Sequence, residues 1–187
     1  MADSDTEPKT DDAAPENGGE SAESAAQQAQ ANAQPLVILG QYIKDLSFEA
    51  PGTPQVFQLL QQRMPEVGIQ VEVRAEKIEQ SFEVSLQINA EAKVENTPVY
   101  IVELVYSGLV NLNVPQEHVG PALLIECPRL LFPFVRAIVA DVTREAGFAP
   151  LMLAPMDFVA LYQQRMQQDQ QAQQGAQSGA AQPTGTA

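Results

Sequence analysis

The sequence predicts an α+β fold, a four-stranded antiparallel sheet with a long crossover loop, packed against C-terminal helices. Three observations lead there. Apolar and polar residues alternate with a period of two through most of residues 36–106. A stretch holding Pro51, Gly52, Pro54 and Pro65 separates the first alternating run from the next. Past Pro128 the period becomes that of a helix.

The chain has 187 residues and a formal net charge of −14. Residues 1–35 hold eight carboxylates and one cation, Lys9, with scarcely an apolar side chain. They are expected to form a disordered acidic arm. All eleven aromatic residues lie between Tyr42 and Tyr162, so the folded domain is placed at 36–165. Residues 166–187, rich in Gln, Ala and Gly, are expected to be a second disordered tail. The negative balance disfavours nucleic acid and anionic membrane, whose phosphates would be repelled, and favours a basic partner. Cys127 stands alone, so no intramolecular disulfide forms, which suits a reducing compartment. No basic region leads into an apolar stretch at the N-terminus, and runs such as Ala149–Met156 are too short to span a bilayer. A soluble cytoplasmic protein is expected.

In the first run, Leu36–Glu49, strict alternation puts Leu36, Ile38, Tyr42, Leu46 and Phe48 on one face and Gln41, Asp45, Ser47 and Glu49 on the other. Ala50–Gly68 then reads as a crossover to a strand that is not adjacent. Ile69–Glu76 alternates without a break, with Ile69, Val71, Val73 and Ala75 inward. Ser81–Glu95 sets Phe82, Val84, Leu86, Ile88, Ala90, Ala92 and Val94 against a polar face. Val99–Tyr106 completes the sheet with Tyr100, Val102, Leu104 and Tyr106 inward. Lys77–Gln80 and Asn96–Pro98 are short enough for hairpin turns.

Pro115–Cys127 has room for a short helical piece, which Pro128 is expected to interrupt. Arg129–Glu145 is a helix with an unusually narrow polar stripe of Arg129, Arg136 and Thr143. Burial on two sides is the implication, one against its own sheet and the other against a second subunit. Val135, Ile138 and Val142 are the residues expected at that interface. Gly147 ends the helix, and Asp157 caps a last one, Phe158–Gln168.

These residues also resemble a known family. "VRAIVADVTREAGFAPLMLAPMDFVALYQQR" (Val135–Arg165), "YIKDLSFEAP" (Tyr42–Pro51) and "CPRLLFPFVR" (Cys127–Arg136) are similar, in the right order, to segments of SecB in its alphaproteobacterial form. The resemblance covers Leu36–Arg165. It implies a non-enzymatic, ATP-independent export chaperone that holds unfolded preproteins and delivers them to the motor ATPase SecA. It implies a homotetramer, a dimer of dimers, with first strands paired edge to edge and long helices between two sheets. Two departures stand out. The crossover reads "QQRMPEV", with Met64 where the family commonly has Trp, and the acidic arm is long.

Carried onto matching positions, the resemblance makes Asp45, Glu49 and Glu103, with Ile101 as apolar neighbour, the contact for the basic zinc-binding tail of SecA. The residues alone allow a plainer reading, a solvated acidic face, although Glu103 among Val99, Ile101 and Val105 looks more like an interface. Unfolded clients require long apolar troughs, and Val56, Phe57, Leu59, Leu60 and Met64 of the crossover, facing the final helix, are the expected lining. His118 and Cys127 lack the spaced companions of a metal site or catalytic dyad, so structural roles are expected for both. No cofactor or nucleotide motif is present. The alternative readings are an oligomeric acidic adaptor that recruits one folded basic partner, and a small-molecule-binding or enzymatic α+β domain.

Overall fold

A computed structural model describes residues 34–179 of the chain, with side chains through 171. The elements run β1 (Leu36–Glu49), α1 (Val56–Leu60), β2 (Glu66–Ile78), β3 (Ser81–Val94), β4 (Thr97–Leu112), α2 (Gln116–Pro121), a π-helical turn (Ala122–Glu126), α3 (Cys127–Glu145) and α4 (Phe158–Gly179). All but the last two residues of the expected acidic arm lie outside the described residues, as do 180–187. The last helix runs on to Gly179 rather than ending at Gln168, so much of the expected C-terminal tail is helical.

Every strand pair is antiparallel, in the order β1-β4-β3-β2. The hairpins turn on two residues each, Glu79–Gln80 and Glu95–Asn96, with Glu79 and Glu95 at φ 53° and 57°. That left-handed entry suits a two-residue turn between twisted strands. The crossover, as expected, carries the chain from β1 past two strands to β2.

The alternation of β3 and β4 is realised almost residue by residue. Val84, Leu86 and Ile88 join Leu104, Tyr106 and Val110 on an inner face that packs on Leu131, Val135 and Val139 of α3 and on Phe158. A second cluster gathers Ala90, Ala92, Val94, Tyr100 and Val102 around Val56 of α1 and Phe148. Each fully buried Val, Leu or Phe contributes about 1.5–3 kcal/mol.

Three expectations are corrected. Pro128 does not interrupt the helix: the chain stays helical from Gln116 to Glu145. Pro121 and Pro128 each lack an amide donor, and the turn between them widens so that the Cys127 amide bonds the Ala122 carbonyl. Thr143 is not part of a polar stripe. It is fully buried, donates to the Val139 carbonyl at 2.9 Å and accepts the Leu151 amide at 2.9 Å, tying the connector to the helix. Tyr42 lies on the outer face, because Leu39 and Lys44 are bulged and each reverses the alternation of β1.

Candidate functional site

The outer face of the sheet collects carboxylates because every second residue of four strands points there. At the β1–β4 ladder, Glu49 stands opposite Ile101, Ser47 opposite Glu103 and Asp45 opposite Val105. Residues directly opposite share a face, so Glu103 sits diagonally between Asp45 and Glu49 with Ile101 beside it. The fold therefore brings all four residues of the expected docking set together. Asp45, Glu49 and Glu103 are exposed and Ile101 is half-buried. Two cations of this face pair with other carboxylates of the same face: Lys93 with Glu91 at 2.8 Å and Arg74 with Glu72 at 3.0 Å. Among the described residues no cation pairs with Asp45, Glu49 or Glu103; Asn89 donates weakly to Glu103 Oε1 at 3.3 Å. Val99 does not belong to the surroundings of Glu103. It is bulged out of the β3–β4 register and fully buried in the second cluster.

The same face holds a polar cluster that alternation hides. Glu83 on β3 is 5% exposed and accepts from Tyr42 Oη and from Lys44 Nζ, the latter at 2.6 Å. The Lys44 ammonium and then the Tyr42 hydroxyl hold its carboxyl below the usual glutamate range. Its hydrogen bond and burial raise the Tyr42 hydroxyl. Ser85 and Ser107 pair beside it at 2.7 Å, Ser107 being fully buried.

In the crossover, α1 is a single turn pinned by Val56, which is buried; of the expected client set, Val56 is an anchor rather than a lining residue. Phe57 stacks on Phe148 with ring centroids 5.1 Å apart, and Phe148 in turn meets Tyr100 at 5.2 Å and Phe48 at 6.0 Å. Leu60 packs at the edge of this cluster, while Leu59 is exposed and the Met64 side chain, 91% exposed, is almost wholly in solvent. The expected opposition to the final helix is corrected. The cluster under α1 contains Phe148, Ala146 and Leu151 of the connector after α3 and, among the described residues, none of α4. A groove of about 450 Å³ does border α4, but its other wall is β2, where Arg165 Nη1 donates to the Val73 carbonyl at 2.8 Å.

On α3 the two-sided apolar character is present, but its sides divide differently from the expectation. Val135 is fully buried against the chain's own sheet, so it is not available to a partner. Ile138 and Val142 are half-buried, and Leu130 and Phe134 are 48% and 45% exposed. Next to them, Ile43 and Leu46 leave the inner face of β1 open.

Sequence reasoning missed Phe148, Tyr42 and Glu83. Phe148 follows the Gly147 helix stop directly and is apolar, a signal that could have been read as a packed cap. Nothing in alternation singles out Glu83 from its neighbours. Cys127 is buried, which pushes its thiol up to about 12 and leaves no thiolate at neutral pH. His118 is exposed at 3.7 Å from Glu117. Among the described residues no group of His, Cys, Asp and Glu is placed to hold a metal, and no helix is long and apolar enough to cross a membrane.

A four-stranded sheet backed by a long helix, with an apolar crossover and an acidic outer face, defines a binding protein of the α+β class. The family model described as preprotein translocase subunit SecB matches residues 28–169. The protein-export protein SecB of Rhodospirillum rubrum is 49% identical over 152 residues, 81% of this chain and 94% of that protein. That of a Bradyrhizobium strain is 53% identical over 144 residues, 76% and 88% of the respective chains. Among solved structures, the Mycobacterium tuberculosis SecB-like chaperone Rv1957, in complex with a ChAD peptide from the HigA1 antitoxin, matches with a TM-score of 0.55. It is 14% identical and the match covers 68% of this chain and 97% of that one, a likeness of fold. The chain belongs to the SecB family of protein-export chaperones.

Proposed function

We propose that the protein holds unfolded preproteins in an export-competent state, without nucleotide and without catalysis, and passes them to SecA through its acidic outer face. One observation carries this reading: Asp45, Glu49 and Glu103 form an exposed carboxylate set around Ile101, and among the described residues no cation pairs with any of the three. An unneutralised patch is what a basic tail recognises, chiefly through the rate of encounter. Clients are taken by the apolar crossover, Phe57, Leu59, Leu60 and Met64, whose unbranched thioether adapts to many sequences. The half-open apolar seam between β1 and α3, with Leu130, Phe134, Ile138 and Val142, supports assembly into a tetramer in the reducing cytoplasm. The exposed carboxylates contribute little to folding, so reversing their charge leaves fold and client capture intact.

The test is calorimetric titration of SecA with the parent protein and with Asp45→Lys, Glu49→Lys and Glu103→Lys variants at two ionic strengths. Each variant is expected to bind SecA more weakly by about tenfold or more, and parent binding to fall with salt. Capture of an unfolded preprotein, read as delayed refolding, stays at parent level. Equal SecA affinity in all three variants removes this face from the interface. A protein that binds SecA but leaves refolding untouched is an adaptor and not a chaperone.

A further inference from the structure

Uninterrupted alternation along Leu36–Glu49 would place Tyr42, Lys44 and Leu46 together on the inner face. The strand does otherwise. Leu39 and Lys44 have no partner on β4, and the segment between them, Gly40–Ile43, is turned over. Ile43, opposite Tyr106, therefore joins Leu46, opposite Leu104, on the inner face, while Tyr42, opposite Ser107, joins Asp45 on the outer one.

Burial does not hold this inversion in place. Ile43 and Leu46 are 46% and 38% exposed, and β1 is an edge strand with one side unpaired. Register is weakly specified where a strand buries so little. The grip lies on the opposite face. Glu83 reaches from β3 across β4, takes the Tyr42 hydroxyl on Oε1 and the Lys44 ammonium on Oε2 at 2.6 Å, and is itself 5% exposed. Tyr42 and Lys44 flank Ile43 in sequence. With both drawn outward, the residue between them points inward. Glu76 stands opposite Glu83 on β2, so a Glu83 carboxylate without its two donors would face a like charge.

We propose that Glu83 is a positioning residue for the apolar seam on the far side of the sheet, holding Ile43 beside Tyr106 and keeping the Lys44 ammonium out of that seam. Tyr106 in turn stacks on Phe134 of α3 at 6.2 Å, so the clamp on one face shapes the apolar surface on the other. The proposal rests on the reading above that β1 and α3 present the assembly surface. Without the clamp, β1 returns to plain alternation, and Lys44 enters the seam next to Leu46.

The full chain with a methyl-labelled Ile43 tests this by the NOE between that methyl and the Tyr106 ring, alongside light scattering for self-association. The parent shows the NOE. In Glu83→Ala it disappears and self-association weakens by more than about tenfold, as an unpaired charge enters an apolar seam. Adding Lys44→Met restores self-association while the NOE stays absent, because the side chain turned inward is then apolar; a general loss of folding would not be rescued this way. Persistence of the NOE in Glu83→Ala overturns the proposal. Loss of the NOE with undiminished self-association keeps the positioning role and overturns the placement of the assembly surface. Should Glu83→Ala fail to fold, Tyr42→Phe with Lys44→Met removes both donors at similar bulk, and the same NOE decides.

Discussion

At neutral pH Glu83 is ionised although nearly buried, because two donors from β1 replace the water it has lost. The pH dependence of stability follows from the directions of the two shifts. A carboxyl lowered in the folded state contributes stability that is complete above its unfolded value, about 4.3, and disappears as pH falls through the folded one. The Tyr42 hydroxyl is raised, so its contribution is complete below about 10 and is lost as pH rises through its folded value. Urea unfolding at fixed chain concentration is expected to give a flat midpoint between roughly pH 5 and pH 9 and a decline on the acid side. Glu83→Gln should cost about 1–2 kcal/mol at pH 7 and shrink that acid slope. An unchanged slope would mean that other carboxylates dominate it. Lys44 is half exposed, so its Coulombic share is screened and the hydrogen bonds carry most of the effect. At this scale the sequence was legible for the shared face of Asp45, Glu49, Ile101 and Glu103, since both strands keep simple alternation there. It was not legible for Tyr42 and Glu83, because a single extra residue in a strand leaves no mark in composition or charge.

Among the elements, strands β3 and β4 could be read because each sets a buried row against a more open one, and β2 because its inward row is the less exposed one over Val71, Val73 and Ala75; period two follows from that. The crossover helix α1 was hidden by its prolines. Burial of Val56, the Phe57–Phe148 stack and the edge contact of Leu60 hold that single turn, and tertiary contacts of this kind have no local period. The stop after α3 is the element on which this depends. Gly147 sits at φ 88°, its amide returns to the Arg144 carbonyl at 3.0 Å, and the Phe148 amide returns to Thr143 at 3.1 Å. Gly147→Ala has room for the methyl group, with Phe57 at 3.6 Å, but not the backbone freedom. Chemical denaturation should show a loss of about 1–2 kcal/mol. Because Phe148 follows directly, protease sensitivity between Pro51 and Pro65 should rise in the same variant. A fully protected crossover in a destabilised Gly147→Ala protein would detach α1 from this helix stop.

For the whole molecule, the shortage of polar residues on α3 signalled apolar surface beyond what the sheet covers, although Thr143 is no part of a stripe; assigning residues to either side needs the direction of approach of the sheet. Val135 and Ile138 are three apart and differ in consequence. Val135→Asp places a charge in the closed core of one chain and should unfold it, a loss of several kcal/mol. On the proposed assembly surface, Ile138→Asp should leave a folded chain that no longer assembles, with near-parent circular dichroism and a smaller mass by light scattering than the parent. Equal effects of the two would mean that α3 has only one buried side. The strand order has a further consequence, for biosynthesis. β1 is the first strand to be synthesised, but its hydrogen-bonding neighbour is β4, and Leu36 finds Leu112 only after both intervening hairpins exist. Closing that loop is the entropically slowest step in the sheet. While the nascent chain emerges, β2, β3 and β4 zip through two-residue turns and β1 waits with its apolar residues uncovered. Until its sheet is complete, a protein that shields the unpaired segments of others presents an unpaired segment of its own.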